Sequence, residues 1–117
     1  MLCLTSFLFA TNVLHAYLAR NAVVHHCYLL LLSTSLAHHW AEDKESVIHS
    51  VDLVVAHSAF GLISVLLMDA DSVPLGWLLI VLIAAMWGWE FLQPDHANVA
   101  HIIIHVAACL AGHCVLL

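Results

Sequence analysis

Charge is what this chain has least of. Its 117 residues include two basic and eight acidic side chains, 9% charged in all, where a soluble domain carries roughly 25%. That scarcity excludes a water-facing surface around a conventional core. Two basic residues also exclude a nucleic-acid partner, because there is no cationic patch to meet phosphates. No CxxC occurs among the four cysteines, Cys3, Cys27, Cys109 and Cys114. They lie in apolar runs, which argues against a disulfide framework or a cysteine zinc site and leaves them as small packing hydrophobes. No basic n-region opens the apolar stretch Met1 to Ala10, so it reads as the start of a span and not as a signal peptide. Internal repeats, low-complexity segments and linkers are absent as well.

What the chain does have is apolar length. It is 64% hydrophobic, with a mean hydropathy of +1.03. Lipid is the solvent that fits such a composition, and a spanning helix needs about 20 apolar residues. The expectation is an all-α fold: a polytopic transmembrane helix bundle of about five spans in a single domain, 1–117, integral to a membrane and multi-pass. The spans fall near 2–19, 22–40, 46–68, 73–92 and 96–117. Arg20-Asn21 makes a tight connection, and Ala41 to Glu45 is the most polar stretch. Ser72 is placed to cap a helix with Pro74 in its first turn, and Asp95 to cap the last span. Trp87, Trp89 and Phe91 cluster where an aromatic belt belongs. Arg20 and Lys44 would fall on opposite sides, so the basic residues do not fix an orientation.

Against that background the polar residues inside the spans stand out. There are eleven histidines, and a polar group at bilayer depth is costly and usually functional. Asp52 lies nearly two turns into the third span and needs a partner or trapped water. Because successive spans alternate direction, Ser35, His39, Asp52, His101 and His105 share one leaflet, although they come from three spans. Ser35 and His39 are i, i+4, as are His101 and His105, so each pair points one way from its helix. Three neutral imidazoles with one open position make a catalytic zinc site. Asp52 would act as general base on a water there, and Ser35 would donate to a developing oxyanion.

Other readings of the histidines stay open. His49, His57 and His96 read as hydrogen-bonding groups between helices. His15, His25, His26 and His113 gather toward the opposite side. With the first set they could form two histidine layers, as in a transmembrane cytochrome holding haem between axial imidazoles.

Ser35-Leu36-Ala37-His38-His39, then Asp52 in the next span, then His101-Ile102-Ile103-Ile104-His105 in the last, resembles the pattern of a superfamily of membrane hydrolases. It includes alkaline ceramidases, progestin and adiponectin receptors, GPI-lipid remodelling proteins and the myomaker group. Its members show SxxxH in one helix, an Asp in the following helix and HxxxH in the final one. The chain is most similar to the myomaker version, where a short acidic loop follows the SxxxH, but in reduced form, since members typically have seven spans. The resemblance covers roughly 22–68 and 96–117. It implies His39, His101 and His105 as zinc ligands, Asp52 as the water-holding acid and Ser35 as the serine. His38 competes with His39 for the first ligand, with Thr34 then in the serine place.

The expected function is therefore zinc-dependent hydrolysis of lipid amides or esters within the membrane, with water as nucleophile and a membrane lipid as partner. A non-enzymatic membrane protein with a structural zinc site, acting in signalling, fusion or remodelling, is the alternative. A haem-binding electron carrier is the third reading. The reduced helix count leaves homo-oligomerisation open.

Overall fold

A computed structural model describes residues 2–41, 47–69 and 73–117, with side chains from 4–40, 47–69 and 74–117. The expected cap at Ser72 and the acidic stretch from Glu42 to Glu45 lie outside the described residues. The chain is all-α: α1 (Leu2–Ser6), α2 (Leu8–Leu18), α3 (Ala22–Ala41), α4 (Val47–Leu67), α5 (Val73–Leu92) and α6 (Ala97–Leu116), the last preceded by a 3-10 turn at Pro94–His96. Among the described residues there is no strand.

The first expected span, 2–19, is not one continuous helix. It divides at Phe7, where Phe7 N–H donates to Leu4 O and Ala10 N–H to Phe7 O, at 3.1 and 3.0 Å. These i to i−3 bonds tighten the turn between α1 and α2. The residues just before the break, Thr5 and Ser6, engage α6 and α3 through their hydroxyls. A second difference concerns Asp95. It sits inside the 3-10 turn, and neither that turn nor α6 has a side-chain cap at its start. Proline at the first position of the turn moves the α-helix start to Ala97.

The connection between α2 and α3 follows from its residues. Arg20 is left-handed, with φ 56°. Asn21 N–H reaches back to Ala16 O at 2.9 Å and Arg20 N–H to Tyr17 O at 3.1 Å. That is a Schellman closure with arginine where glycine usually sits. The Asn21 side chain then accepts from Val24 N–H at 3.1 Å and caps α3.

Among the described residues, three helical segments are long and apolar enough to cross a membrane: Val47–Leu67, Pro74–Leu92 and Pro94–Leu116. The longest dimension of the bundle is 37 Å, enough to cover a hydrocarbon layer of about 30 Å. The α3 helix has the length, at 20 residues, but carries His25, His26, Ser33, Thr34, Ser35, His38 and His39. The apolar helix Leu4–Leu18 is shorter.

Apolar side chains fill the interior, among them Phe9, Ile63, Leu67 and Ile83, and also cover much of the exterior. Large apolar side chains face outward, Phe91 at 84% and Val54 at 66% exposure. Ser6, Asn12, Ser35, Asp52 and His105 are buried. Exposed apolar side chains on this scale suit a protein dissolved in lipid. Inside, α2 is stapled to α6 by Asn12 Nδ2, which donates to Cys109 O at 2.8 Å. The Tyr28 hydroxyl of α3 donates to Ala108 O at 2.7 Å. Both reach the α6 backbone beside Gly112, where any Cβ would overlap them.

Candidate metal centre

The site is assembled where α1, α3, α4, α5 and α6 meet. The α6 helix supplies His101 and His105, which at i, i+4 stand one turn apart on one face. Their ring centroids are 4.7 Å apart. From α3, His39 places its ring 5.1 Å from His101 and 5.4 Å from His105. One ligand nitrogen from each of the three histidines lies within 4.8 Å of the others.

The remaining polar contacts decide which nitrogens are available. His105 Nδ1 is hydrogen-bonded to Thr5 Oγ1 at 2.8 Å. His101 Nδ1 meets both carboxylate oxygens of Glu90, at 3.3 and 3.4 Å. Each ring is therefore engaged at Nδ1, which leaves Nε2 as the ligand atom. The Nε2 of His39 is buried without a hydrogen-bond partner. A buried polar atom left unsatisfied is costly and calls for an explanation. A cation held between three imidazole nitrogens supplies one, so the donor set fits a metal ion of the kind that histidine favours.

Beside the histidines lies a cavity of about 70 Å³, room for several water molecules. Its polar end carries Ser35, Asp52, His101 and His105, while Phe60, Ile63, Ile80 and Ile83 line the rest. Asp52 is 7% exposed, and its Oδ1 is a second buried atom without a partner. Ser35 is hydrogen-bonded through Oγ to Ser6 Oγ at 2.8 Å. At the outer edge His57 stacks on Trp87, with centroids 4.6 Å apart and planes 10° apart.

His38 goes elsewhere. It lies against His49, with Nε2 3.3 Å from His49 Nδ1, so of the adjacent pair it is His39 that faces α6. Thr34 bonds back to its own helix at Leu31 O. His57 does likewise, to Leu53 O, and His96 stacks on Trp89. At the other end of the bundle, His15 and His113 are hydrogen-bonded Nδ1 to Nδ1 at 2.7 Å with rings stacked at 5.0 Å. A haem would need such a pair facing across the porphyrin plane, and these two rings leave no gap between them.

No protein-family model, curated protein or solved structure matches the chain. The site's chemistry therefore rests on its own residues.

Glu90, Thr5 and Ser6 are the polar neighbours that sequence reasoning missed. Glu90 had one signal, as the lone charge in α5. Thr5 and Ser6 had none beyond being polar in an apolar run.

Proposed function

We propose that the chain is an integral, multi-pass membrane protein that binds zinc through His39, His101 and His105 and hydrolyses lipid amides or esters. The observation that carries this is the partnerless Asp52 Oδ1, buried at the polar end of a cavity that also exposes two of the three clustered histidines.

Zinc in a three-histidine site lowers the pKa of a water toward about 7 and polarises a carbonyl. The protein's own residues supply the rest. Asp52 Oδ1 is free to accept a proton from a water in the cavity and pass it to the leaving amine or alcohol. The Ser35 hydroxyl, held by Ser6, is poised to donate to the oxygen where negative charge develops. The apolar walls around Ile63, Ile80 and Ile83 match an aliphatic group in chemistry. The ordered SxxxH, Asp and HxxxH elements, with their resemblance to the ceramidase and receptor superfamily, support the same reading.

The deciding experiment compares wild type with Asp52→Asn on lipid amides and esters in mixed micelles. Loss of turnover by about 10²–10⁴-fold with zinc retained is expected for a missing general base. Full activity in the variant would sink the mechanism.

One observation favours a second reading. The cavity of about 70 Å³ holds water but is too small for a long acyl chain. In that reading the metal is structural, and the protein acts in signalling, fusion or remodelling. Zinc bound without turnover on any lipid tested, and a stability loss in His105→Ala, would support it.

A further inference from the structure

The two α6 ligands are held by different partners. His105 is held by a neutral hydroxyl, His101 by a carboxylate. Glu90 is the lone charged residue in the twenty of α5. It lies in the last turn among Trp87, Trp89 and Phe91, with its side chain 31% exposed. Both of its oxygens point at one nitrogen of His101, at 3.3 and 3.4 Å.

We infer that Glu90 is the outer positioning residue of the metal centre: it orients His101 for metal. This role rests on the metal-binding reading above. The Glu90 carboxylate accepts the Nδ1–H of His101, which fixes the tautomer and aims Nε2 at the space shared with His39 and His105. Among the described residues, Glu90 is the one acid that contacts a ring of the three-histidine cluster through a hydrogen bond. A carboxylate behind a ligating histidine also raises the basicity of the ring and tightens its hold on the metal.

The test uses full-length protein in detergent and Co²⁺ as a coloured probe. Wild type, Glu90→Ala, Glu90→Gln and Asp95→Asn are each titrated at one pH while the visible ligand-field bands are recorded. Asp95→Asn removes an exposed acid near the same end of the bundle. Glu90→Ala is expected to weaken Co²⁺ binding 10–100-fold and to change the bands. Glu90→Gln, which keeps an oxygen acceptor, should lose less, and Asp95→Asn should match wild type. Melting of the metal-free Glu90 variants should stay at the wild-type temperature, which separates positioning from folding. Equal affinity in wild type and both Glu90 variants would overturn the role, as would an equal loss in Asp95→Asn. Folded wild type that binds no Co²⁺ would remove the metal-binding reading itself, and this role with it.

Discussion

Thr5 Oγ1 lies 2.8 Å from His105 Nδ1, a separation of 100 residues along the chain. The contact fixes which nitrogen of His105 faces His39 and His101. Thr5→Val keeps the shape and removes the hydroxyl. It is expected to lower metal affinity about tenfold, as other outer-shell changes do. Isothermal titration with zinc would measure it, and an unchanged affinity would mean that packing against Phe9 alone orients the ring.

The three-histidine cluster makes a stoichiometric prediction. Wild-type protein purified in detergent should carry about one zinc per chain, and the His101→Ala/His105→Ala double variant should carry none. Elemental analysis reads both. Metal should also be released as the pH is lowered, because protons and metal compete for the same imidazole nitrogens. A double variant with undiminished zinc would place the metal elsewhere.

Gly112 lets α3 and α2 approach α6. A methyl group there would overlap the Tyr28 hydroxyl and the Asn12 amide, both engaged with α6 carbonyls. Gly112→Ala should destabilise the bundle by about 1–3 kcal/mol through overpacking, and a thermal melt in detergent would report it. No change would mean that the helices slide apart without cost.

Arg20 occupies the left-handed position that closes α2. Glycine adopts that conformation without a Cβ clash. Arg20→Gly should therefore raise stability, by up to about 1 kcal/mol. A fall on chemical denaturation would show that the arginine side chain contributes through contacts of its own.

That Ser35, Asp52, His101 and His105 meet at one cavity with His39 beside them was legible in the sequence. Short connections force helices to alternate, and the fixed rise per residue then sets depth. The i, i+4 spacings gave the shared faces. The choice between His38 and His39 was not legible, because neighbouring residues point about 100° apart and the rotation of α3 depends on packing. Glu90 was hidden for a similar reason: an acid at a helix end looks like an interface residue until its rotation is known. The break at Phe7 lacks proline or glycine, so no local signal announces it.

The three-histidine cluster and its hydroxyl partners come from helices far apart in sequence. Thr5 and Ser6 come from the first helix, and His101 and His105 from the last. During synthesis, the first helix leaves the ribosome with its hydroxyl partners still untranslated. Contacts this distant in sequence form slowly and late. Until α6 packs, α3 and α4 carry His39 and Asp52 without the α6 histidines beside them. Without α6, His39 has neither of its two imidazole neighbours, so the three-histidine cluster can form only after α6 has been made and packed.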